Sequence, residues 1–177
     1  NIAGRTVNAT GTGTAGQGAV INTAGAEGWI NALNLTGNTT VGSTGNKLDI
    51  AGPITGGGNT LTVVGTGETN LRPGSSLSNV AVTVNTTGNG RLRFESDHAP
   101  ASLVTVTVNP GAIVDTWDGR TFGANLGLNL NGGQLQTNGN AGSVTWNGPI
   151  TVSAGSTLVS NRRIDFFGQF NGAGVLT

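Results

Sequence analysis

NTLTVVGTGETNLRPGSSLSNVAVTVNTTGNGRLRF, residues 59–94, contains three short runs in which apolar and polar residues alternate: NTLTVV (59–64), NVAVTV (79–84) and RLRF (91–94). Alternation with a period of two, carried by β-branched residues, is the mark of a strand with one face buried. The last run is reached through an Asn-Gly step at Asn89, and Asn and Gly tolerate the left-handed backbone that a sharp corner needs. Short strands at close spacing, with a change of direction between them, are therefore the local rule.

The same rule holds on both sides of this stretch. WINALNL (29–35) and KLDI (47–50) precede it; LVTVTV (103–108), LGLNL (126–130), SVTW (143–146), PITV (149–152), STLV (156–159) and RRIDFF (162–167) follow. Further Asn-Gly steps stand at Asn131, Asn138, Asn147 and Asn171, with Gly-Gly pairs at Gly56 and Gly132. No segment carries a helical period. The fold class is all-β, and two architectures satisfy it: an antiparallel β-sandwich or barrel, and a right-handed parallel β-helix, a β-solenoid whose strands stack coil upon coil. A sandwich of this length uses fewer and longer strands, so the spacing favours the solenoid. Stacking places like residues above one another, where Thr and Asn rows bond along the axis. Coils of about 20 residues, eight or nine in number, would give a rod on the order of 40 Å long. No boundary divides residues 1–177, which read as one solenoid domain; residues 1–18 are less regular and would form a pairing arm or a frayed end. The irregular FESDHAPAS (94–102) reads as a protruding loop.

Composition narrows the function. Gly supplies 32 of 177 residues and charged residues 9%, against about 7% Gly and about 25% charged in average proteins. Hydrophobic residues reach 35% with zero formal net charge, a balance that folds rather than one that stays disordered. Eight basic residues offset eight acidic ones, so no field of one sign gathers nucleic acid or anionic lipid. No apolar run reaches the roughly 18 residues of a membrane-crossing helix, and membrane insertion is not expected. Cys is absent, which removes disulfides and thiolate metal sites and fits an exported protein. The first residue is not Met, as expected of a processed chain or a piece of a longer one.

Several stretches, taken in order, resemble the autotransporter-associated β-strand repeat of large bacterial surface proteins: residues 16–50, 52–71, 128–158 and the closing FNGAGVLT (170–177). The resemblance implies a parallel β-helix, secreted or held at a bacterial cell surface as a passenger or stalk, with no catalytic residues and no cofactor. Family members usually continue beyond FNGAGVLT into further coils. Unpaired coil edges near Asn1, Ile2, Val175, Leu176 and Thr177 predict head-to-tail self-association into a filament, or continuation into more repeats. The alternative role is an adhesive, glycan-binding passenger, and a polysaccharide lyase or hydrolase is the third.

Candidate sites are few. Asp115, Asp118 and Gly119 form a weak Ca²⁺ candidate, since hard cations take oxygens at turns, but two acids are fewer than such sites use and a solvated turn is the expected outcome. Glu95, Asp97 and His98 read as a polar loop, because zinc needs three or four ligands. Asp115, Asp118 and Arg120 are the nearest approach to acid/base machinery and lack a partner group. Trp29, Trp117 and Trp146 would stack on surface glycans if exposed, and core packing is the expected alternative. Asn8, Asn34, Asn38 and Asn85 stand in glycosylation sequons that a Thr/Asn-rich chain produces by chance. Arg91 and Arg93 are expected to pair with Glu95, and Arg162 and Arg163 with Asp165, along a strand face.

Overall fold

The computed structural model describes residues 2–177, and within them the chain winds into a parallel β-solenoid of about eight turns. Successive turns lay their strands on three faces, with one turn lacking a strand on the third. Face A holds β2 (Val20–Asn22), the end of β3 (Gly28–Ser43), β6 (Thr60–Gly65), β9 (Ala81–Thr86), β11 (Val104–Val108), β14 (Leu126–Asn131), β17 (Ile150–Ala154) and β20 (Phe170–Asn171). Face B begins with the start of β3 and continues through β4 (Lys47–Ile50), β7 (Glu68–Leu71), β10 (Arg91–Phe94), β12 (Ile113–Trp117), β15 (Gln134–Asn138) and β18 (Thr157–Ser160). Every pairing between these strands is parallel, which excludes the antiparallel sandwich.

Face C is split. Its first part is β1 (Ile2–Gly11), the middle of β3, β5 (Pro53–Thr55) and β8 (Ser76–Ser78); its second is the separate sheet of β13 (Thr121–Phe122), β16 (Val144–Trp146) and β19 (Ile164–Phe166). Between β8 and β13 only one bridge, His98 to Phe122, stands for a strand.

Parallel stacking in register makes each inward position a row. On face A, Val41, Val63, Val84, Val108, Leu130 and Val152 are successive partners and all are buried. Such rows suit β-branched residues, whose stiff side chains interlock with identical neighbours one strand spacing away. Face C carries the bulk: Phe122, Trp146 and Phe166 stack in one row, and the first two are fully buried. Trp146 donates its indole N–H to the Leu126 carbonyl at 3.0 Å, satisfying its one polar atom in the core.

Residues 2–11 of the irregular N-terminal segment are a strand paired with β3. Asn1 lies outside the described residues. The FESDHAPAS stretch departs from the loop expected of it, because Phe94 and His98 turn into the core and leave Asp97 and Leu103 outside. The His98 ring packs edge-on against Phe94, which in turn packs against Phe122.

Corners are where Gly is required. Gly65, between faces A and B, has φ +103°, and an added Cβ would fall on the Ser43 carbonyl oxygen of the preceding coil. Gly25 has an ordinary backbone and open space around it. We expect Gly65→Ala to lower unfolding free energy by about 2 kcal/mol or more, from left-handed strain plus the clash, and Gly25→Ala to stay within about 0.5 kcal/mol. Urea unfolding of the two variants checks this, and equal losses would refute the corner argument.

Candidate functional site

The densest polar constellation lies on face B, where outward positions form two rows. One runs Lys47, Glu68, Arg91, Ile113, Gln134, Thr157; the other runs Trp29, Asp49, Asn70, Arg93, Asp115, Gln136, Val159. Charges of opposite sign follow one another along the axis. Arg93 reaches the Asp115 carboxylate at 2.6 Å and Glu68 at 3.2 Å; Arg91 reaches Glu68 at 3.3 Å. Arg72 pairs with Glu95, and Lys47 with Glu27 at 2.7 Å.

The partners differ from the sequence expectation in one respect. Arg91 and Arg93 bond to acids on the neighbouring coils and not to Glu95. Strands lie about 4.8 Å apart whereas residues i and i+2 of one strand lie about 6.6 Å apart, so the axial neighbour is nearer. Only Arg163 follows the expected pattern, pairing with Asp165 at 2.8 Å within its own stretch; Arg162 instead donates to the Gly139 carbonyl.

Long cation side chains roof this face. The Arg72 guanidinium lies 5.1 Å from the Trp29 ring centre and that of Arg93 lies 4.7 Å from Trp117. Trp117 is 37% exposed, yet one of its faces is taken by Arg93. Trp29 is covered in the same way, and Trp146 is in the core, so the sugar-stacking faces that a glycan binder would present are largely occupied. Beneath the roof, Asp49, Asn70 and Asp115 are fully buried. Burial pushes the carboxyls of Asp49 and Asp115 above the ordinary range, opposed at Asp115 chiefly by Arg93 and at Asp49 chiefly by the Asn70 amide.

The Ca²⁺ candidate resolves into two separate uses. Asp115 accepts hydrogen bonds from Arg93 and from the Asn138 amide at 2.9 Å. Asp118, in a left-handed turn at φ 61°, accepts the backbone N–H groups of Asn140 at 2.7 Å and Ala141 at 3.2 Å, which hold its carboxyl below the usual range. Both carboxylates are satisfied by donors of the chain itself. Arg120 lies beside this turn and donates to the Gly119 carbonyl. No group of three or more metal-ligating side chains occurs among the described residues.

His98 is the residue that sequence reading placed wrongly. It is 2% exposed, with its ring 5.0 Å from that of Phe94 in an edge-on arrangement. Its Nε2 lies 3.4 Å from Ser75 Oγ and 3.2 Å from Ser96 Oγ. A hydroxyl beside an imidazole is the geometry of a nucleophile and its base, but Ser75 and His98 are both buried, and burial lowers the imidazole to about 4. The cluster fills the gap in face C between β8 and β13, and hydroxyl and imidazole contacts do there what backbone pairing does elsewhere. A signal was present: His98 follows Phe94 at a strand end, ahead of the aromatic positions Phe122 and Trp146 in later coils.

Three of the four sequon asparagines, Asn8, Asn34 and Asn85, are ladder rungs, and Asn38 accepts the Thr60 backbone N–H at 2.9 Å. Asn34 donates to Asn8 at 2.8 Å and accepts from Thr55 at 2.9 Å; Asn109 donates to Asn85 at 2.6 Å, and Asn131 to Asn109 at 3.0 Å. Compared with protein-family models, with curated proteins and with solved structures, the chain gives no match.

Two outcomes are expected. Arg93→Ala strands the buried Asp115 carboxyl and should cost about 2–3 kcal/mol, most of it recovered in the Arg93→Ala/Asp115→Asn double variant; a neutral single variant would show that the pair contributes nothing. For His98, the folded pKa of about 4 lies below the unfolded value near 6.5, so the unfolded chain takes up the proton first. The stability it confers is complete above pH 6.5 and falls by about 2 kcal/mol between pH 6.5 and 5. Denaturant midpoints across that window should slope for the wild type and flatten for His98→Asn.

Proposed function

We propose that this chain is a structural β-solenoid segment of an exported bacterial surface protein, of the autotransporter-associated repeat kind, and not an enzyme. One observation carries the reading: seven of the eight acidic side chains are bound to a neighbouring coil. Glu27 binds Lys47, Asp49 binds Asn70, Glu68 binds Arg91, Glu95 binds Arg72, Asp97 binds the Thr121 N–H, Asp115 binds Arg93 and Asp118 binds the Asn140 N–H. The eighth, Asp165, pairs with Arg163. Groups that would serve as acids, bases or ligands are used as axial staples. Each exposed pair is worth little alone, but a continuous network resists sliding and unwinding of one coil on the next.

The last described coil supports self-association as the main interaction. Phe167 is 73% exposed, Val175 64% and Phe170 49%, around β19 and β20, which have a strand partner on one side only among the described residues. Leu176 and Thr177 pair back onto the stretch around Ser156 and Leu158. β1, with Ile2 at its start, likewise has one partner strand, β3. A parallel coil at either end, from a second copy in head-to-tail order or from further repeats of the same chain, would pair these edge strands and cover the exposed phenyl rings, and we take the second copy as the case to test.

The test is sedimentation and negative-stain microscopy over a concentration series. Rods that lengthen with concentration and are lost in Phe167→Asp are expected. A monomer at every concentration, or glycan binding abolished by Trp117→Ala, would overturn the self-association reading in favour of a solitary or adhesive segment.

A further inference from the structure

Asp49 and Asn70 are opposite each other on β4 and β7, and both are fully buried. The Asn70 amide donates to Asp49 Oδ1 at 3.0 Å. The remaining oxygens, Asp49 Oδ2 and Asn70 Oδ1, have no hydrogen-bond partner. Both are acceptors when Asp49 is ionised, so the pair is short of one hydrogen. Turning the Asn70 amide over would set its oxygen against Asp49 Oδ1 and take away the one hydrogen bond present, so the orientation shown is the better of the two.

The charged groups around Asp49 do not supply it. Lys47, on the same strand, is bound to Glu27; Arg72, beyond β7, is bound to Glu95 and lies over Trp29. Burial raises the Asp49 carboxyl and outweighs the charges around it: Lys47 and Arg72 favour its ionised form from a distance, and Glu27, ahead of β3, opposes it. Arg93, the next rung after Asn70, is spent on Glu68 and Asp115. A buried carboxylate with no cation contact and an unmet acceptor beside it is costly, and taking up a proton removes both faults at once.

We propose that Asp49 carries a proton at neutral pH and that its Oδ2–H donates to Asn70 Oδ1, closing a two-bond acid–amide pair that clasps the coils of β4 and β7. The clasp opens when the proton leaves. In the folded chain Asp49 then behaves as a group raised above its unfolded value: the stability it confers is complete in acid and is lost as pH rises through the folded pKa. This is opposite in sign to His98.

Carbon-13 NMR of the aspartate carboxyls in the intact chain reads the proton directly, with Asp49 assigned by its absence in Asp49→Asn. One carboxyl carbon in the range of the protonated acid at pH 7, titrating only above it, is the expected result. An ionised Asp49 at pH 7, as a bridging water between the two oxygens would leave it, overturns the proposal. Asp49→Asn gives an independent reading, because an amide donates to Asn70 Oδ1 as the acid does. Its thermal midpoint at pH 7 should equal or exceed that of the wild type, whereas a lowered midpoint in a folded variant would mean that the negative charge was being used.

Discussion

Parallel pairing in register between successive coils is the constraint from which the rest of this molecule follows. Backbone amides and carbonyls bond along the axis, so every residue has its chemical counterpart about 4.8 Å above and below it. Side chains are thereby sorted into rows. A row can be apolar, as Val41 to Val152 is on face A, or polar, as Asn85, Asn109 and Asn131 are at its edge. The low charge content of the chain is a consequence: a charge placed in a row meets the next coil before it meets solvent, and it must be of the right sign there.

That constraint explains how much was legible in the sequence. Period-two alternation located the strands of faces A and B, because inward and outward residues differ in kind at each step from Leu61 to Val63 and from Val104 to Val108. Coil length was not fixed by the sequence, because the Asn-Gly steps fall at uneven intervals, from Asn131 to Asn138 as well as from Asn147 to Asn171. Register could not be read either. Arg93 and Asp115 are 22 residues apart, and nothing local to either says that they will be neighbours. The burial of Asp49 and Asp115 was hidden for the same reason: the guanidinium groups that roof them, Arg72 and Arg93, are brought in from neighbouring coils. His98 was misplaced because a lone polar residue between Asp and Ala looks like a loop until Phe94 and Phe122 are known to flank it in space.

Face B shows how a solenoid can carry charge in a nearly dry setting. The Arg72 and Arg93 guanidinium groups lie over indole rings while their N–H groups reach carboxylates on adjacent coils, and Arg93 alone engages three neighbours, Trp117, Glu68 and Asp115. Such networks hold register more than they add free energy. A one-residue slip of β12 against β10 would turn Asp115 toward the core beside Leu92 or Phe94 and take its carboxylate from Arg93, and the penalty for that mismatch exceeds the gain from the native pair.

The split in face C makes the axial pairing of the coils uneven around the rod. Backbone ladders run the length of faces A and B, whereas face C is interrupted after β8 and resumes at β13 across a patch of serine, imidazole and a single bridge. At the height of His98 the coils are therefore held on that side by fewer backbone hydrogen bonds than on the two unbroken sheets opposite.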